Sequence, residues 1–170
     1  MSMDLTDVYR TVRVFLYLKR VNMKCADKLF YGGDDMCTSI AWRNGAFYFG
    51  RNLDLEYSYQ ETVTITPRNY PFRFRKVPDM DTHYAMIGMA YVVESYPLYY
   101  DATNEKGLSM AGLNFPGNAY YQPLPEKPLF ACRNALGHMA YIAPFELIPW
   151  VLGQCQNIQD TKRLLSRTVL

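Results

Sequence analysis

Cys37-Thr38-Ser39-Ile40-Ala41-Trp42-Arg43-Asn44-Gly45-Ala46-Phe47-Tyr48-Phe49-Gly50-Arg51-Asn52-Leu53-Asp54 is the stretch on which the reading of this chain turns. Residues 37–42 form a short, mostly apolar run, and Phe47-Tyr48-Phe49-Gly50 reads as the strand that returns along it. Between them stands Asn44-Gly45, the strongest short hairpin signal, because both residue types accept the positive φ of a tight turn. Cys37 therefore opens a hairpin, and Arg51-Asn52-Leu53-Asp54 is expected just past its second strand. Folding the two strands together brings Arg51 and Asp54 back towards Cys37.

Downstream, Glu61 to Thr66 alternates, with Val63 and Ile65 on one side and Thr62, Thr64 and Thr66 on the other, the pattern of a half-buried strand. Pro67, Pro71 and Pro78 bracket a turn-rich, basic segment, and the apolar run from His83 to Glu94 predicts one buried strand. Leu98 to Ala102 and Leu108 to Asn114 flank Asn104-Glu105-Lys106-Gly107 and form a second hairpin. Phe115 to Arg133, with Pro116, Pro123, Pro125 and Pro128, reads as a long surface loop, a kind of segment that often carries function. The period then changes. Phe145, Ile148, Leu152 and Cys155 predict a helix restarted at Pro149, and Asn157 with Asp160 predicts a capped second helix whose Ile158, Leu164 and Leu165 face inward. Strands followed by helices place the chain in the α+β class.

Upstream, residues 1–28 have the pattern of a basic amphipathic helix, with Val8, Val12, Phe15 and Leu16 on one side. An ordinary surface helix, a removable pro-segment and sequence outside the natural reading frame all fit. Gly32-Gly33-Asp34 can be encoded as a bacterial ribosome-binding sequence just before Met36, which would make Met36 the natural start. Residues 1–36 are therefore expected to be a leader and 37–170 the working domain.

Composition excludes several classes. A net charge of +2 over 170 residues, with no basic stripe, argues against nucleic acid as a partner. The apolar run Val14 to Leu18 ends at Lys19-Arg20, too short to span a bilayer, so no membrane association is expected. Cys25, Cys37, Cys132 and Cys155 have neither zinc-site nor disulfide-scaffold spacing, which fits reduced thiols in the cytoplasm. No metal-ligand cluster, phosphate loop or nucleophile elbow is present, and no cofactor is expected.

Taken singly, Cys37 reads as a small buried hydrophobe and Arg51 with Asp54 as a surface ion pair. His83 and His138 lack any partner pattern. Read in order, the segments change that balance. Met36-Cys37-Thr38, Phe49-Gly50-Arg51-Asn52-Leu53-Asp54, Asn104-Glu105-Lys106-Gly107-Leu108 and Ala111-Gly112-Leu113-Asn114-Phe115-Pro116 together resemble the choloylglycine hydrolase family, which includes bile salt hydrolases and penicillin V acylases. Thr66-Pro67-Arg68-Asn69-Tyr70 and Phe145-Glu146-Leu147-Ile148-Pro149-Trp150 extend the resemblance, which runs from Cys37 to about Leu165.

The resemblance implies an N-terminal nucleophile hydrolase, an αββα sandwich of two stacked antiparallel sheets between helical layers, of which this chain matches the N-terminal half. It implies hydrolysis of a linear amide bond in a small-molecule substrate by Cys37, whose own free α-amine serves as base. The reference pKa of such an amine, about 7.7–8.0, suits proton uptake near neutral pH. By the same resemblance Arg51 would favour the thiolate, Asp54 would hold the amine, and Asn114 would donate to the oxyanion. Asn114 resembles the bile salt hydrolase branch, where penicillin V acylases tend to carry Tyr. The substrate implied is a glycine- or taurine-conjugated bile salt; the alternatives are a penicillin V acylase-like N-acyl amide hydrolase or an inactive truncated remnant. Tyr57 to Tyr59 and the loop after Phe115 would line a cleft for the apolar acyl group, against the plainer reading that these rings pack beside a sheet.

Two departures from the family stand out. Cys37 follows Met36, and while that peptide bond persists the nitrogen cannot act as a base. Family members are also considerably longer, and their later half supplies a further oxyanion Asn and a further Arg. A half sandwich would expose strand edges and an apolar face, and homo-oligomerisation is expected of the full-length protein.

Overall fold

A hairpin opens the described part of the chain. The computed structural model describes residues 38–53, 57–113, 133–134 and 137–170. The chain divides into two units, residues 1–57 and 58–170. In the first, β1 (Thr38–Asn44) pairs antiparallel with β2 (Ala46–Asn52) from Thr38↔Asn52 to Asn44↔Ala46. Gly45 sits at the tip with φ +69°, a conformation that costs glycine little and an L side chain more. Trp42 stands opposite Tyr48, with their ring centroids 5.4 Å apart. The predicted leader helix, Cys37, Asp54, Asn114 and most of the loop from Phe115 lie outside the described residues.

The second unit is built on an antiparallel sheet of order β3-β4-β5-β6, with β3 at Thr62–Thr66, β4 at Met86–Val93, β5 at Tyr96–Asn104 and β6 at Ser109–Ala111. The β5–β6 hairpin forms as predicted, closing at Gly107 with φ +82°. The His83 to Glu94 run is shorter as a strand than expected, since His83 to Ala85 precede it and Glu94-Ser95, both at positive φ, make the turn into β5. Short strand pairs follow: β7 (Arg133–Asn134) with β8 (Gly137–His138), and β9 (Ala140–Tyr141) parallel to β10 (Thr168–Val169).

Between β9 and β10 a 3-10 turn at Pro144–Glu146 leads into α1 (Leu147–Gln154), and α2 (Ile158–Leu165) follows. Pro149 does not restart the helix. It occupies the first turn of α1, where its missing N–H would have no intrahelical partner in any case. Asn157 caps α2 as predicted, its Oδ1 accepting the Asp160 N–H at 3.0 Å. Ile158 and Leu165 are exposed, however, and of the three predicted inward residues only Leu164 packs on the core. The helix is amphipathic, but only a narrow part of its apolar stripe finds a partner.

Helix α1 lies against β5 and β6, and the core forms between them from Met86, Ala90, Ala102, Leu108, Val151 and Leu152. The Pro67–Pro78 segment is more than surface turns. Its Phe72 is fully buried and Phe74 nearly so, and Phe72 bridges Met80 with backbone bonds of 3.0 and 2.9 Å. Strand β3 is half-buried as predicted, but its threonine side is the buried one. Val63 and Ile65 are 66% and 47% exposed, while Thr66 is at 2%. The Thr66 hydroxyl shares a 2.8 Å hydrogen bond with Tyr99 Oη, so the polar side enters the core satisfied. Burial also pushes the Tyr99 phenol up to about 12.

Asn104 ties helix to sheet. Its Nδ2 donates to the carbonyls of Leu152 and Cys155 at 2.8 Å each, and its Oδ1 accepts from Lys106 N at 3.1 Å and Leu108 N at 3.0 Å. Every hydrogen-bonding capacity of the amide is used, at 1% exposure. Two of those bonds satisfy carbonyls at the C-terminal end of α1 and two close the β5–β6 turn. Asn104→Ala is expected to lower the unfolding free energy by about 2–4 kcal/mol, since it removes four hydrogen bonds, three of them buried. Urea denaturation checks it, and a loss within error of zero would contradict the arrangement.

Arg68 grips Glu105 with Nε at 2.8 and 2.9 Å and a further bond from Nη2, and Glu105 Oε1 also accepts the Ala85 N–H at 3.2 Å. The hydrogen bonds from Arg68, chiefly, hold the Glu105 carboxyl below its ordinary range. A depressed folded-state pKa stabilises above the unfolded value, about 4.3, and that contribution is lost as pH falls through the folded value. Denaturation midpoints recorded down this range should fall more steeply for the parent protein than for Glu105→Gln, and parallel curves would count against the pair.

Candidate active site

Of the four candidate residues, Arg51 lies among the described residues, on the β1–β2 hairpin. Ser39 and Arg51 stand directly opposite each other, on the same face. Cys37 precedes Ser39 by two positions in sequence. Arg51 and Asn52 belong to β2 itself, not to a segment beyond it as the sequence implied. The apolar signal stops at Gly50, but backbone pairing with Thr38 and Ser39 continues the ladder for two more residues.

Arg51 is half-buried, with its Nε and Nη1 shielded from solvent. Asn52 is a residue that the sequence reading passed over. Its Oδ1 accepts the backbone N–H of Thr38, the peptide group that directly follows Cys37. The second strand thus pins the first one residue after the candidate nucleophile. An amide side chain facing a strand end was the available signal.

In the other unit, β6 ends at Ala111 and Gly112 N donates to Tyr100 O at 2.8 Å. Asn114 follows two residues later in the chain. Tyr59 is 40% exposed and lies beside Tyr91, ring centroids 6.3 Å apart. Tyr57, in the hairpin unit, is 60% exposed. His83 is buried with both ring nitrogens on backbone carbonyls, Nδ1 at 2.7 Å from Tyr84 O and Nε2 at 2.8 Å from Tyr70 O, which commits it to structure. Cys155 is buried, and burial pushes its thiol up, away from the thiolate that a nucleophile needs. Among the described residues no group of three or more His, Cys, Asp or Glu side chains is placed to hold a metal ion, and no helix is long and apolar enough to cross a membrane.

Residues 37–170 match the family described as linear amide C–N hydrolases, choloylglycine hydrolase family. The chain is 51% identical over 132 residues to a bile salt hydrolase/transferase of Lactiplantibacillus plantarum, covering 78% of this chain and 37% of that protein. It is 38% identical over 137 residues to a conjugated bile acid hydrolase of Lactobacillus gasseri, covering 79% and 40%. A crystal structure of a conjugated bile acid hydrolase variant from Clostridium perfringens superposes with a TM-score of 0.66 at 28% identity, over 79% of this chain and 38% of that one. The chain thus spans well under half the length of these relatives.

Proposed function

This chain belongs to the choloylglycine hydrolase family, and from that premise we propose that it is an amide hydrolase acting on glycine- or taurine-conjugated bile salts through Cys37. Its α+β fold is the N-terminal nucleophile hydrolase fold over the part the chain spans: an antiparallel sheet with a helical layer on one face, and a separate hairpin. The observation that carries the proposal is that the family match begins on Cys37 itself and runs to residue 170. The same boundary supports residues 1–36 as a leader outside the catalytic domain.

The proposed reaction begins when Cys37 is the first residue. Its α-amine takes the thiol proton, and Sγ attacks the amide carbonyl. Asn114 donates to the oxyanion as the tetrahedral intermediate forms. Collapse breaks the C–N bond, and the proton passes to the departing nitrogen of glycine or taurine. Water then attacks the thioester and releases the free acid. The Arg51 charge on the hairpin favours the thiolate, and Asp54 holds the amine for proton transfer. The half-buried Arg51, opposite Ser39, which follows Cys37 by two residues in the chain, supports this assignment. The partner is then a small amide, the location cytoplasmic, and the full-length assembly a homo-oligomer.

The deciding experiment uses protein expressed from its own gene. Intact mass reports whether the mature chain starts at Cys37. Release of glycine or taurine from conjugated bile salts is then compared with release of phenoxyacetate from penicillin V. Preference for bile salts is expected. Preference for penicillin V would move the assignment to the acylase branch, and cleavage of neither by a chain starting at Cys37 would reject the amidase reading.

A further inference from the structure

Strand β5 carries one residue more than β4 across the middle of the sheet. Met86 to Met89 pair with Asn104 to Asp101 in one register, and from Ala90↔Tyr99 onward the register shifts, leaving Tyr100 as the extra residue of a β-bulge. Burial records the slip. Pro97 and Tyr99 are buried on alternate positions, then Asp101 and Ala102 are buried in succession. Ala102 belongs to the core under α1, so its neighbour Asp101 points to the opposite face of the sheet.

A carboxylate at 3% exposure on that face is costly unless hydrogen-bonded. Asp101 Oδ1 accepts the Met89 N–H at 3.3 Å, at the bulge itself. Beside it Gly88 lets the strands close in, because a Cβ there would lie 1.9 Å from the Asp101 carbonyl oxygen. On its other side Asp101 pairs with Ala111, and the carbonyl of the extra residue, Tyr100, receives Gly112 N at 2.8 Å. The bulge thus anchors the last residues before Asn114. Bulges commonly re-aim a side chain next to an active site.

We propose that Asp101 is a positioning residue: its buried carboxylate locks the β4–β5 bulge and so fixes residues 111–113, directly before the proposed oxyanion donor Asn114 in the chain. The catalytic consequence rests on the amidase reading, while the structural one does not. Asp101→Ala removes the acceptor, and Asp101→Asn keeps an oxygen for Met89 N–H. Hydrogen exchange and steady-state kinetics are measured on both variants of the protein expressed from its own gene.

In Asp101→Ala, exchange across residues 108–113 is expected to rise about tenfold while that of α1 stays unchanged. With conjugated bile salt, kcat should fall about tenfold or more and KM should stay within about twofold. Asp101→Asn should restore both. Asp101→Ser, too short to reach Met89 N–H, replaces the alanine variant if that fails to fold. Unchanged exchange over 108–113, or an asparagine variant as impaired as alanine, overturns the proposal. If the parent protein cleaves no amide, the amidase reading falls by itself and the exchange result alone decides the role of Asp101.

Discussion

Cys37→Ser is expected to lower kcat for conjugated bile salt on the order of a thousandfold or more, with the chain still folded. An amide carbonyl is a poor electrophile, and the α-amine available as base has a reference pKa of about 7.7–8.0. That base is matched to a thiol, whose ordinary pKa is about 8.5, and Arg51 would lower the thiol further. A serine hydroxyl is a far weaker acid, so the same amine would leave it almost wholly protonated. The substitution is small and leaves the Asn52 bond to Thr38 N–H available, so circular dichroism should match the parent. A chain retaining residues 1–36 should be as inactive as the serine variant, because an amide nitrogen holds no usable lone pair. Turnover by Cys37→Ser, or by a chain whose Cys37 stays acylated by Met36, would defeat the mechanism.

The second large effect is on stability. Gly88→Ala should cost about 3 kcal/mol or more, or prevent folding. A Cβ on residue 88 would lie 1.9 Å from the Asp101 carbonyl oxygen, 2.6 Å from Ala102 Cα and 2.7 Å from Ala102 Cβ. Two of these neighbours are backbone of the central strand β5, held on one side by β4 and on the other by β6, so no side-chain rotation relieves the clash. Gly153→Ala makes a useful contrast. There a Cβ would meet Met80 Cε at 2.4 Å and Met80 Sδ at 3.0 Å, the far end of a flexible side chain that can turn away. Chemical denaturation of both variants should therefore separate them clearly, with Gly153→Ala the milder. Equal losses would mean that the β4–β5 approach is looser than described.

Both hairpins and the Asn157 cap were legible from the chain, because each depends on residues within a few positions of one another. Asn44-Gly45 turns β1 into β2, Asn104 to Gly107 turns β5 into β6, and Asn157 meets the amide of Asp160. The candidate site was legible only through its ordered motifs. Of the four residues those motifs single out, Arg51 falls among the described residues, and its strand proved two residues longer than the apolar pattern announced. Asp101 gave no signal at all. A single acid in an otherwise strand-like run reads as solvated, and its burial follows from a bulge that involves β4, β5 and β6 at once.

The sequence by itself determined where the two hairpins, strand β3 and the two C-terminal helices lie and which family the chain resembles, since turn chemistry, periodicity and ordered motifs are local properties. Tertiary structure alone decided which side of each element is covered. Thr66 is buried and Val63 exposed because α1 lies on the threonine side, where Tyr99 satisfies the hydroxyl. Asn104 is a keystone because Leu152 and Cys155 bring their carbonyls to it from about fifty residues away. Periodicity marks two faces of a strand, but only the element that packs there selects the one withdrawn from water.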